Sequence, residues 1–246
     1  MRIAKQIAAL FVVLLIPLAA QAAPKRILVF GDSNSWGWIP KATGVPSERY
    51  PPEQQWPRVM QGLLGNDYEV VVDALSGRTT DAPDPGAPIT GAALDGSAYL
   101  PAAIAAHFPL DLVVIMLGTN DTKAVFKRSP FQIALGAGKL VGIVQSSGNM
   151  FGAGSYSYPA PKVLLVAPQP LGKPTVFSRV FEGDVGVERS KGLAAAYRKI
   201  AEAADVSFFD AGSVIQTDGS DGVHLSGETQ RRLGGAITEQ VRTILK

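Results

Sequence analysis

A serine hydroxyl becomes an effective nucleophile only when a neighbouring base takes its proton, and that base is normally a histidine oriented by a carboxylate. The sequence holds two histidines, His107 and His224, so the candidate bases are few. His107 closes an Ala-rich helical pattern just before Phe108-Pro109, where the dipole of a helix C-terminus favours a cation. His224 lies in the polar stretch Asp218-Gly219-Ser220-Asp221-Gly222-Val223-His224. Asp221 stands three residues earlier, near enough for one turn of chain to bring its carboxylate to the imidazole. The same spacing also suits a loop whose acids accept the free N–H groups that open a helix. Ser33 follows Gly31-Asp32 where an apolar run ends, and a serine there is either a nucleophile or a helix N-cap.

Other chemistries find less support. No Gly-x-Ser-x-Gly elbow, complete Gly-x-Gly-x-x-Gly or Walker motif occurs, and Ala137-Gly138-Lys139-Leu140 lacks the Ser or Thr that the last of these needs. The absence of cysteine removes disulfides, thiolate zinc sites and a cysteine nucleophile together. Two histidines do not make a zinc site of several imidazoles, which leaves a carboxylate-only site as the remaining metal option. Neither a metal nor an organic cofactor is expected. A net charge of +2 without any Lys/Arg stripe gives nucleic-acid binding little electrostatic support. With 46% hydrophobic and 18% charged residues, the composition is that of a globular chain.

The elements that must position these residues alternate. Short apolar runs at Ile27–Phe30, Tyr68–Val72, Leu112–Leu117, Val163–Val166 and Val206–Phe209 read as strands. Helical patterns fill the gaps at about Gln54–Leu64, Ala98–His107, Pro130–Gln145, Gly186–Ala204 and Gly227–Ile244. This alternation predicts βαβ units and a parallel sheet covered on both faces. Polar, Gly-rich punctuation follows the first three strands: Gly31-Asp32-Ser33, Asp73 through Gly77, and Gly118-Thr119-Asn120-Asp121. Open parallel sheets bind ligands beyond such strand ends. Long loops at Ile39–Pro52, Asp81–Gly96 and Gly148–Pro161, with an irregular stretch at Pro168–Gly183, are expected to shape a binding site or an oligomer contact.

The N-terminus reads as an export signal. Arg2 and Lys5 precede the apolar run Ile7–Leu18, and Ala20-Gln21-Ala22 offers small residues at the positions a signal peptidase reads. The run is shorter than the roughly 20 residues of a comfortable membrane span. The expected organisation is a signal peptide over residues 1–22 and one domain over 23–246, exported to the periplasm or secreted, with no membrane association after cleavage. The alternative is an uncleaved N-terminal anchor.

Four blocks together carry a resemblance: Gly31-Asp32-Ser33, Gly77, Gly118-x-Asn120-Asp121 and Asp221-x-x-His224. In this order they resemble the four blocks of the SGNH (GDSL-type) hydrolases, over essentially the whole chain after residue 22. Within that family, Trp36-Gly37-Trp38, Arg78-Thr79-Thr80, Ser97-x-Tyr99-Leu100-Pro101 and Met116 through Lys123 are similar to the arylesterase/acyltransferase branch, which includes a mycobacterial acyltransferase/perhydrolase. The chain departs from that branch at Asn34, where an apolar residue is the expected one, and from the mycobacterial member at Gly77, where that enzyme has alanine.

The resemblance implies a three-layer, flavodoxin-like α/β fold with a central five-stranded parallel sheet. It implies Ser33 as nucleophile, His224 as base and Asp221 as its orienting carboxylate. The oxyanion hole would be the backbone N–H groups of Ser33 and Gly77 with the Asn120 amide. It also implies a substrate pocket at Asn34, Trp36 and Trp38, although core packing is the other reading of the two tryptophans. The activity implied is hydrolysis of short-chain acetyl, aryl or alkyl esters through an acyl-enzyme, with acyl transfer to alcohols or perhydrolysis as a side activity. A carbohydrate O-deacetylase is the alternative enzyme, and an exported binding module the alternative of another class. The partners implied are a small-molecule ester and further copies of the chain, up to an octamer.

Overall fold

The structure is a computed structural model that describes residues 23–87, 91–148 and 158–246. The predicted export segment, residues 1–22, lies outside the described residues, as do parts of two of the long loops. Five strands form one sheet: β1 (Lys25–Gly31), β2 (Tyr68–Ala74), β3 (Leu112–Met116), β4 (Lys162–Ala167) and β5 (Ser207–Asp210). All neighbours pair in parallel, in the order β2-β1-β3-β4-β5. This is the doubly wound flavodoxin-like order that the resemblance implies.

Both faces of the sheet are covered, as the continuous apolar strands require. Along β1 the side chains alternate: Ile27 and Val29 join one buried cluster, Leu28 and Phe30 the other. The first cluster is closed by α2 (Trp56–Leu64) and α8 (Gly227–Ile244) through Trp56, Met60, Leu233 and Ile237. The second is closed by α3 (Gly96–His107), α4 (Pro130–Gln145) and α7 (Leu193–Ala203) through Leu100, Ile133, Leu140 and Tyr197. Every residue of β3 is buried, as expected of a central strand with period-free apolar sequence.

The remaining helices are short. The four residues Ser33–Trp36 make α1, Ser178–Phe181 make α5, and Asp184–Lys191 make α6. Two expectations therefore change. The helix predicted over Gly186–Ala204 is two helices, α6 and α7, separated at Gly192, whose position leaves no room for a side chain: a Cβ there would meet the Pro130 ring at 2.6 Å. The irregular stretch Pro168–Gly183 contains α5, a single turn too short to show periodicity. The helix predicted from Ala98 begins at Gly96, because Asp95 caps it by accepting from the Ser97 and Ala98 N–H groups.

The chain leaves β1 toward β2 on one side and β3 lies on the other, so the reversal of strand order falls at β1. Gly31, the last residue of β1, pairs with Ala74 of β2 and Met116 of β3. The crevice beyond those three strand ends is where the polar blocks converge.

Candidate active site

Asp32 and Ser33 turn the chain from β1 into α1. The Asp32 carboxylate accepts from the Asn34 N–H at 2.9 Å and so caps the short helix. Ser33 is thereby the first residue of the helix, with its own backbone N–H left over. Burial pushes the Asp32 carboxyl up to about 7, against the opposing hydrogen bond from Asn34.

The loop before α8 brings the other two side chains to Ser33. Asp221 Oδ1 accepts from the backbone N–H groups of Val223 and His224, both at 2.9 Å, which folds the four residues into a tight turn. Its Oδ2 lies 2.8 Å from His224 Nδ1, and His224 Nε2 lies 2.9 Å from Ser33 Oγ. Burial alone would raise the Asp221 carboxyl. The bonds from the His224 ring and from the two N–H groups outweigh it and hold the group below its usual range. A carboxylate accepting at Nδ1 fixes that nitrogen as the protonated one and leaves Nε2 free to accept from the serine O–H. All three residues are buried. The Trp38 ring stacks on the imidazole with centroids 4.9 Å apart and planes 14° from parallel, and Phe177 meets it edge-on at 6.1 Å.

Opposite the serine stand the other predicted donors. Gly77 has φ +89°, a left-handed conformation that favours glycine. Among the described residues its N–H and that of Ser33 donate to no other protein group. Asn120, in a single 3-10 turn after β3, donates one amide hydrogen to the Arg78 carbonyl at 3.1 Å and keeps the second. Beneath them, Asp121 accepts from Thr80 N and Oγ1 and from Arg128, while burial still lifts its carboxyl to about 6.

A cavity of about 530 Å³ opens above this floor, and Ser33, His224, Gly77 and Asn120 all line it. Trp38 lines it too, as the resemblance implies. Asn34 and Trp36 do not, which corrects the predicted pocket. Asn34 is fully buried on the other side of the turn, with its backbone carbonyl accepting from Gln230 and its amide pointing to the Val223 carbonyl. Trp36 lies under the Arg49 guanidinium, 5.2 Å from its ring centre. Residue types alone did not single out Asp84, Phe177 or Val180 as cavity wall, since they come from irregular stretches and the single-turn α5.

The geometry supports general-base activation of Ser33 on a cavity that Gly77 and Asn120, with hydrogen-bond donors to spare, also line, which is what acyl transfer through a tetrahedral intermediate requires. The sequence model of the GDSL-like lipase/acylhydrolase family matches residues 29–232. The chain belongs to this family. It is a carboxylic ester hydrolase with the SGNH fold. Among solved structures, the aryl esterase of M. smegmatis is similar at 49% identity and TM-score 0.83, over 89% of this chain and 99% of that one. A carbohydrate acetylesterase from Sinorhizobium meliloti is similar at 48% identity and TM-score 0.83, with the same coverage. A second carbohydrate acetylesterase family member from that organism is 38% identical, with TM-score 0.80 over 90% and 99% of the two chains. No curated protein sequence matches.

Proposed function

We propose that this hydrolase removes short acyl groups, acetyl above all, from small esters through an acyl-enzyme on Ser33. The observation that carries the reading is the unbroken relay from Ser33 Oγ to His224 to Asp221, at 2.9 and 2.8 Å, on the floor of a cavity faced by the Gly77 and Asn120 donors. Ser33 Oγ attacks the ester carbonyl while its proton passes to His224 Nε2. The carbonyl oxygen takes the negative charge and is met by the N–H groups of Ser33 and Gly77 and the free Asn120 hydrogen. His224 then returns the proton to the departing alcohol, leaving Ser33 acylated. Water attacks by the same route and releases the acid. Asp221 keeps the imidazole in one tautomer throughout and stabilises its charged form.

Acyl transfer to an added alcohol belongs to the same reading. A polar Asn34 beside the nucleophile would favour water, but its side chain is turned away from the cavity, whose walls are mainly apolar. The reading also keeps the export expectation: residues 1–22 are removed and the enzyme acts outside the cytoplasm.

The deciding experiment compares p-nitrophenyl acetate hydrolysis by wild type and Ser33→Ala, with an alcohol added in parallel. The expected result is an active wild type and a folded variant slower by on the order of 10³-fold or more. Equal rates would remove Ser33 as nucleophile and with it the proposal.

A further inference from the structure

Asp121 takes no part in the proton relay, yet it is buried next to Asn120 in the same 3-10 turn. Burial lifts its carboxyl to about 6, against the Thr80 hydrogen bonds and the Arg128 charge. A buried carboxylate is costly, and an apolar residue would fill the same space without that penalty. What the carboxylate adds is directional. It accepts from Thr80 Oγ1 at 2.6 Å and from the Thr80 N–H, which is shared between its two oxygens at 3.1 and 3.0 Å. Both donors belong to one residue, and Thr80 is itself fully buried.

Two segments meet at this clamp. One is the turn Asn120–Thr122, which is anchored without Thr80: Thr122 N and Oγ1 donate to the Thr119 carbonyl, and Arg189 donates to the Thr122 carbonyl at 2.6 Å. The other is the loop after β2, which carries the Gly77 donor. One set of bonds ties this loop to the segment before α3, where Thr79 N donates to the Leu94 carbonyl and Gly96 N to the Thr79 carbonyl. A second set ties it to the turn, through the Asn120 amide on the Arg78 carbonyl and Asp121 on Thr80. Because Asn120 takes its orientation from the Arg78 carbonyl, a shift of the loop would move both the Gly77 and the Asn120 donors relative to Ser33.

We propose that Asp121 is a positioning residue for the hydrolysis: through Thr80 it sets the spacing of the Gly77 and Asn120 donors, and so the fit of the oxyanion hole to the tetrahedral intermediate. The inference rests on the acyl-enzyme reading above. Preorganised donors stabilise an oxyanion only where they meet it at about 2.7–3.1 Å, and a misplacement of about 1 Å can cost about 10²-fold. Thr80 follows Gly77 by three residues, so anchoring it fixes that donor closely. The effect falls on the intermediate rather than on substrate binding, because the negative charge develops on the oxygen only as the serine adds.

The test uses Thr80→Val, Asp121→Asn and the conservative Thr80→Ser, with two inhibitors of nearly the same shape. Trifluoroacetophenone takes Ser33 Oγ at its carbonyl carbon; the serine proton passes to His224 and the carbonyl oxygen becomes the oxyanion. Acetophenone, without the fluorines, occupies the cavity as the planar ketone. Thr80→Val removes the hydroxyl donor and leaves Asp121 in place, so the test survives if Asp121→Asn, with one acceptor oxygen of two, does not fold. Both variants are expected to lose about 10- to 100-fold in kcat/KM on p-nitrophenyl acetate. Their Ki for trifluoroacetophenone should rise by a similar factor while that for acetophenone stays unchanged. Thr80→Ser, which keeps the hydroxyl, should remain within about threefold of wild type in all three. Folded Thr80→Val and Asp121→Asn with wild-type rates would overturn the role of Asp121. So would a rate loss with an unchanged Ki for trifluoroacetophenone, which places the damage on the base, or an equal rise for both ketones, the mark of a collapsed pocket. A wild type inert toward p-nitrophenyl acetate would remove the acyl-enzyme reading and this role together.

Discussion

Asn120 uses one amide hydrogen to hold the Arg78 carbonyl and offers the other to the cavity, so its side chain is both oriented and available. Removing one oxyanion donor typically costs about 10²–10³ in kcat. Asn120→Ala is expected to lose that much on p-nitrophenyl acetate with a melting temperature close to wild type; steady-state rates beside a thermal melt check both. Arg78 supports the same segment differently. Its guanidinium is buried, donates to the Gly31 and Asp73 carbonyls and to the Asp73 carboxylate, and lies 4.1 Å above the Phe30 ring. Arg78→Met would leave Asp73 unpaired in a largely buried setting, at a cost of about 3 kcal/mol or more. Chemical denaturation measures it, and an unchanged midpoint would refute this account of the residue. The pair Asp221 and His224 could be singled out from three residues of spacing, which suited a helix-opening loop equally well, and its catalytic role came from the four-block resemblance. Arg78 could not be, since its partners are 5 and 47 residues away and only the folded sheet edge assembles them.

The junction of β1 with α1 places a carboxylic acid in the interior, and its titration should be visible in stability. Asp32 in the folded chain has a pKa of about 7 because burial disfavours its charge, against an ordinary value of 3.8. Between those values the folded state holds a proton that the unfolded state has released, so stability falls as pH rises through this window. Asp121, raised to about 6 by burial, adds a slope of the same sign. Asp221, held low, acts oppositely, and its contribution is lost only in stronger acid. Asp32→Asn keeps an oxygen to cap Asn34 but cannot titrate. The variant is expected to flatten the decline in melting temperature from pH 4 to 7 and to exceed wild type at pH 8, with at most about 1.4 kcal/mol per pH unit at stake. Parallel curves for the two proteins would show that Asp32 does not titrate in this range. At the scale of elements, strands and long helices followed from apolar runs and period, and α4 and α8 span the predicted residues. The Gly192 break between α6 and α7 did not, because it answers to Pro130 on another element.

For the whole molecule, the parallel sheet and its ligand crevice could be read from strand-end punctuation, whereas the cavity shape could not, since its outer wall comes from loops without periodic pattern. That wall also bears on assembly. Val125, Val176 and Val180 are 50%, 40% and 42% exposed, and the first and third line the cavity mouth. Single exposed apolar side chains are ordinary, but a group of them around one opening marks a surface suited to a partner. The expected partner is another copy of the chain, in keeping with the homo-oligomer that the sequence resemblance implies. Such an assembly would cover the valines and narrow the entrance, so size and selectivity should change together. Light scattering on the purified protein is expected to give a multiple of the monomer mass, and Val180→Glu, which sets a charge in the contact, should shift it toward monomer. The variant should also accept bulkier alcohol portions relative to p-nitrophenyl acetate, because the entrance is then open. A wild type that is monomeric at micromolar concentration would leave these valines as part of the substrate entrance alone and refute the assembly.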